Sequence, residues 1–158
     1  MTVEECKVAN WSDVGLRDGM AGEPLATLDD RVKDCAEAKV RVDVGRYHEG
    51  RNRGLMSYCQ PDNAVRQGLA GKTYHGVCAA GIEADFRYRF DTAKAVYNAR
   101  QALQNESGRR YNLESRLRDA KTEEERRRAR DALERHDQNM RHLRDRLYWA
   151  ESALARLG

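Results

Sequence analysis

Residues 122–157 read TEEERRRARDALERHDQNMRHLRDRLYWAESALARL. Thr122 followed three residues later by Glu125 is a capping box, in which hydroxyl and carboxylate each accept a backbone N–H that the first helical turn leaves free. Small or apolar residues then fall at Ala129, Leu133, Met140, Leu143, Leu147, Ala150, Leu154 and Leu157. With His136 included, the steps alternate between four and three residues, the spacing of a coiled-coil seam. No Gly or Pro interrupts the run. The spacing predicts one helix over 123–157, a rod of about 50 Å. A helix with a single apolar stripe has to bury that stripe against something.

Upstream, a fainter seam runs through Val96, Ala99, Leu103, Leu113, Leu117 and Ala120. Its middle is polar, with Glu106 and Arg110 at seam positions, and Asn105 to Gly108 is the expected interruption. The two seams predict an antiparallel hairpin, one helix over about 83–120, a turn near Lys121-Thr122, and a return over 123–157, because short connections make antiparallel neighbours. Pairing of the same seams between two chains, a homodimer through the C-terminal helices, is the alternative. Arg126-Arg127-Arg128-x-Arg130 follows Glu123 to Glu125 at the spacing that sets Glu beside Arg on a helix. It reads as a solvated helix face, with no nucleic-acid partner.

The first half has different physics. Of the twelve glycines, only Gly108 and Gly158 lie beyond Gly81, and both prolines and all four cysteines precede Gly81. Gly and Pro break chains into short elements. The expected organisation is a Gly/Cys-rich module over 1–81 and a helical hairpin over 82–158, all-α throughout. The chain has 158 residues, is 35% charged, and has a formal net charge of +3 and a mean hydropathy of −0.91. No stretch is apolar enough to span a membrane, and so weak a basic surplus argues against a dedicated nucleic-acid binder.

The cysteines are Cys6, Cys35, Cys59 and Cys78, without a C-x-x-C pair. No redox motif or zinc ribbon is implied. His75 precedes Cys78 by three residues, but no close ligand pair defines half of a metal site, so no metal and no cofactor are expected. An even count in a small module suits two disulfides. Of the three connectivities, Cys6–Cys35 with Cys59–Cys78 is favoured because each bond ties a local loop. Such loops gain roughly 3 kcal/mol each in the chain-entropy account, and disulfides imply an oxidising compartment. Residues 1–30 lack the pattern of an export signal, so the expectation is that one precedes Met1.

Two segments repeat glycine every four residues, Gly15-Leu-Arg-Asp-Gly19 and Gly50-Arg-Asn-Arg-Gly54. Residues four apart share a helix face, and each helical Gly costs about 1 kcal/mol, so close backbone packing is the expected offset. Trp11, Val14, Tyr47, Leu55 and Tyr58 are the expected small core. After Cys59, Gln60-Pro61-Asp62-Asn63 reads as a turn. Gly68, Gly71 and Gly76 then punctuate the segment up to Cys78, which reads as an irregular, stapled loop. Exposed ordered loops carry binding residues, here Asn63, Arg66, Lys72, Tyr74 and His75. Asp18, His48 and His75 are the acid–base candidates of an enzyme reading, but no nucleophile motif accompanies them and no catalytic activity is expected.

The order Asn10-Trp11, Gly15, Asp18-Gly19, Gly22, Cys35, Tyr47-x-x-Gly50-Arg51-x-x-Gly54-Leu55-x-x-Tyr58-Cys59, Pro61, Asn63, Gly68, Gly71, Tyr74, Gly76-Val77-Cys78, with Cys6 ahead of it, resembles the domain of unknown function 2799 family over about residues 5–90. Ala64-Val65 departs from the family's usual Gly-Phe, and Ala79 from its usual Pro. The resemblance implies a bacterial, exported protein, often lipid-anchored, with a helical tail. It implies a periplasmic setting tethered to the outer membrane, with any lipid-bearing Cys upstream of Met1, and no mechanism. The expected function is a non-enzymatic envelope module that binds an envelope protein or a cell-wall component. The alternative is a periplasmic inhibitor or immunity protein that blocks a secreted hydrolase with the 60–77 loop.

Overall fold

The first unit is built on two helices that run side by side in the same direction. In the computed structural model, which describes residues 1–157, α1 (Val3–Val8), α2 (Trp11–Ala21), α3 (Ala26–Glu37) and α4 (Val44–Tyr58) make up this unit. The start of each follows from local chemistry. Thr2 and Glu5 form a capping box on α1, the Asn10 side chain accepts from the Ser12 N–H on α2, and Asp43 accepts from the Arg46 N–H on α4. Helix α2 ends at Gly22, at φ 70°, where Glu23 N–H reaches back to the Asp18 carbonyl and closes the Schellman turn that Gly permits.

The glycines make the contact between α2 and α4. A methyl group on Gly15 would lie 2.0 Å from the Tyr47 carbonyl oxygen, and one on Gly54 would lie 2.3 Å from that of Leu16. Backbone touches backbone, so both helices give up side chains at the crossing. Helix α3 is the crossover, tied to α1 by the Cys6–Cys35 disulfide with Cα atoms 5.5 Å apart. Cys6, Trp11, Val14, Leu28, Cys35, Val42 and Tyr47 fill the core beneath.

A second unit repeats this arrangement with different residues. Helices α5 (Pro61–Leu69) and α6 (Ala80–Gly108) cross in parallel at Gly68, where an added methyl would sit 2.4 Å from the Phe90 carbonyl oxygen and 2.7 Å from the Ala93 Cβ. Gly71, at φ 69°, ends the helix under the ring of Tyr97, just as Gly22 lies under the ring of Tyr58. The Cys59–Cys78 disulfide spans the pair, with Cα atoms 5.7 Å apart. Tyr58, Cys59, Ala64, Cys78, Phe86 and Phe90 form this second core.

The structure corrects the expected loop and the expected single core. Residues 61–69 are helix rather than irregular loop, because Pro61 fixes the first helical position and the backbone of α6 accepts Gly68. Phe86 and Phe90 of α6 complete the second core against Tyr58 and Tyr74. The small core is also two clusters, with Trp11, Val14 and Tyr47 in one and Tyr58 and Leu55 in the other.

Beyond Tyr97 the chain becomes a hairpin. Helix α6 stops at Gly108, Arg109 turns, α7 (Arg110–Asp119) continues, and α8 (Glu123–Ala155) returns antiparallel. Thr122 and Glu125 form the capping box at the start of α8. Arg100 pairs with Glu151 at 2.7 Å, and Arg89 reaches the Leu157 carbonyl at 3.2 Å. Ala129, His136 and Leu143 are the buried residues of α8.

Candidate functional site in the stapled module

Asp18 sits beside Gly19 on the face of α2 that meets α4, and the crossing buries its carboxylate. Arg31 from α3 grips it with both arms, Nε donating to Oδ2 at 2.7 Å and Nη2 to Oδ1 at 2.5 Å. The Tyr47 hydroxyl donates to Oδ2 at 2.8 Å. Burial, then the hydrogen bond to Asp18, pushes the Tyr47 phenol up to about 12, and the bond to Asp18 raises Arg31 further. Arg51 is also buried. Its Nη2 donates to the Glu23 carbonyl at 2.7 Å, while its Nε has no partner. This network ties three helices together.

The three acid–base candidates do not assemble into one group. Both Asp18 oxygens are engaged, and among the described residues no hydrogen bond joins Asp18, His48 and His75. His48 lies edge-on to the Tyr47 ring, centroids 5.9 Å apart, and His75 is exposed.

The binding residues expected from the loop divide into two sets. Asn63 is buried on α5 and donates from Nδ2 to the Tyr58 carbonyl at 2.7 Å. Tyr74 lies between Phe86 and Phe90, with ring centroids at 4.8 and 5.8 Å. Its hydroxyl donates to the Glu83 carboxylate and accepts the Cys78 N–H at 3.1 Å. Burial and the Glu83 bond raise it to about 12, and the Arg87 guanidinium covers the ring at 5.1 Å. Asn63 and Tyr74 therefore hold the second core together. Arg66, Lys72 and His75 remain exposed, with the Lys72 carbonyl accepting from Lys94 Nζ at 2.6 Å. The true loop is the short stretch between α5 and α6.

Sequence reasoning passed over one further group, at the middle of the hairpin. Glu106 and His136 are 8% and 3% exposed, and Glu106 Oε1 meets His136 Nδ1 at 2.8 Å. Arg109 donates to Glu106 Oε2 at 3.1 Å. The His136 bond, ahead of Arg109, holds the Glu106 carboxyl below the usual range. The signal was available, since Glu106 and His136 both occupy seam positions.

A family model described as protein of unknown function (DUF2799) matches residues 10–95. The chain belongs to this family. The match opens at Asn10, the cap of α2, and closes inside α6, so the DUF2799 region holds both glycine crossings and both aromatic clusters, while the outer hairpin lies outside it. No curated protein and no solved structure matches the chain. In this DUF2799 chain every cysteine is oxidised, which points to an extracytoplasmic compartment. Among the described residues, no helix is long and apolar enough to cross a membrane.

Proposed function

We propose that this chain is a non-enzymatic binding and scaffolding module of the bacterial cell envelope, held in the periplasm and tethered to the outer membrane by a lipid anchor outside residues 1–158. One observation carries the reading. The four cysteines of the module are committed to disulfides, and Asp18 is committed to Arg31 and Tyr47. Large side chains stand free on the helices that project from it, Tyr111 at 72% exposure, Tyr148 at 64% and Trp149 at 65%. A rigid base with exposed aromatics on a projecting stalk suits recognition of an envelope protein or a cell-wall component, since aromatic residues dominate binding hot spots.

The test joins location to contact. Cell fractionation should recover the full-length protein with the outer membrane, and a photo-cross-linking residue at Trp149 should give one discrete adduct in intact cells, with none from His75. Recovery of the protein in the cytoplasm with four reactive thiols would end this reading.

A further inference from the structure

The hairpin breaks at Arg109, and beside the break is a cavity of about 490 Å³ lined by Ser107, Arg110, His136, Asp137, Met140, Arg141 and Arg144. Its charges are unequal. Asp137 is the single lining carboxylate, and Arg110 Nη1 already holds it at 2.7 Å, while Arg110 Nε holds Glu114 at the same distance. Arg141 and Arg144 are exposed, and among the described residues neither has a carboxylate partner within salt-bridge distance. Counting Arg110, Arg141 and Arg144 against Asp137, the lining is net positive before His136 is considered.

His136 supplies a second, separate observation. Its ring is almost fully buried, yet it lines the cavity. Nδ1 is committed to Glu106, and Nε2 has no hydrogen-bond partner among the described residues. Glu106 does not line this cavity. It belongs, with Arg109, to a neighbouring one of about 310 Å³. His136 lines that neighbouring cavity as well, and the Glu106 carboxylate holds the imidazole in place between the two. No side chain caps the amino end of α7, whose first residue, Arg110, lines the same space. By contrast, the cleft between α1, α2 and α3 sets Glu5, Asp13 and Asp18 against Arg17 and Arg31, so it has no cationic surplus from its side chains.

We infer that this cavity binds a phosphate-type oxyanion, with Arg141 and Arg144 donating to its oxygens and the His136 ring forming the inner wall of the site. Guanidinium groups match the geometry of phosphate oxygens and bond them in pairs. A free phosphate ester and a phospholipid headgroup carry this same chemistry. The inference concerns the hairpin alone and does not depend on the envelope reading.

The experiment follows the His136 imidazole resonances of the intact, oxidised protein by NMR at constant neutral pH and constant ionic strength. Inorganic phosphate should shift them saturably and sodium chloride should not. Binding by R141Q/R144Q should be weaker by about tenfold or more, from the loss of charge-assisted hydrogen bonds, with far-UV circular dichroism unchanged. R126Q/R127Q, which removes the same charge elsewhere on α8, should bind as the parent does. Sedimentation with phosphatidylglycerol vesicles, against phosphatidylcholine alone, separates the sources. Vesicle capture lost in R141Q/R144Q assigns the headgroup, and phosphate binding without capture assigns a soluble ester. Absence of saturable binding in both arms, or equal weakening by the two double variants, overturns the inference.

Discussion

A methyl group at Gly50 would lie 1.9 Å from the Ser12 carbonyl oxygen, whereas one at Gly81 would meet nothing within 4 Å. The same substitution therefore has opposite effects at two helical sites. Gly50→Ala should lower the unfolding free energy by about 1–3 kcal/mol or more, because backbone cannot yield as a side chain can. Gly81→Ala should raise it by up to about 1 kcal/mol through helix propensity and a stiffer unfolded chain. Urea denaturation of the two variants checks the signs, and a neutral Gly50→Ala would refute the close-crossing account. Among the described residues, Lys39 is the one other than glycine with positive φ, at 56°, and it ends α3 with its successor's N–H bonded to the Cys35 carbonyl at 2.9 Å. Lys39→Gly relieves that conformation and should add about 1 kcal/mol, read from the melting temperature. At this scale the sequence was informative about Gly15, Gly19, Gly50 and Gly54, because their spacing is visible. It was silent on Gly68, whose partner is the backbone of a helix that begins well beyond it in the chain.

Among the elements, the hairpin is governed by its polar middle. A buried Glu–His pair in a helix seam stabilises little by itself and specifies register instead. In a double-mutant cycle, Glu106→Leu and His136→Leu should each destabilise more as single changes than the pair does together. The double variant should regain stability while losing a unique hairpin, detected as dimer in sedimentation. Glu106 also sets a pH dependence. Its folded-state pKa is depressed by His136 and Arg109, so its contribution is present above the ordinary glutamate range near 4.3 and is lost as pH falls through the lower folded value. The urea midpoint of the parent should drop more steeply on acidification than that of Glu106→Gln, and parallel curves would contradict this. Helix α8 was legible from its alternating seam and Thr122–Glu125 cap. Helix α5 was not, because Pro61 and three glycines signal a turn and a helix start equally well until a packing partner decides between them.

The whole molecule is two stapled, glycine-crossed helix pairs in series, the second of which extends into a hairpin. Each core is closed by tyrosines that serve as both apolar filler and hydrogen-bond donor. Tyr47 and Tyr74 are raised to about 12, first by burial and then by carboxylate partners, and burial raises Tyr58 as well. For an acid whose folded pKa lies above its unfolded value near 10, stability is complete below 10 and falls as pH rises through the folded value. Phenolate absorbance should therefore lag for these three tyrosines and appear together with loss of helical circular dichroism between about pH 10 and 12. Smooth titration of all seven tyrosines before any unfolding would contradict the two-core picture. The local sequence determined the all-α class, the seam and cap of the last helix, the break near Gly108, and the pairing of cysteines close in the chain. These depend on neighbours within a few turns, where side-chain periodicity and loop entropy act directly. Only the tertiary structure decided that α5 is a helix, that Phe86 and Phe90 belong to the stapled module, that Asp18 is spent on Arg31, and that His136 turns one nitrogen to Glu106 and leaves the other open. Those outcomes depend on which surfaces meet across long stretches of chain, and burial, hydrogen-bond satisfaction and cavity shape take their values only once those surfaces are in contact.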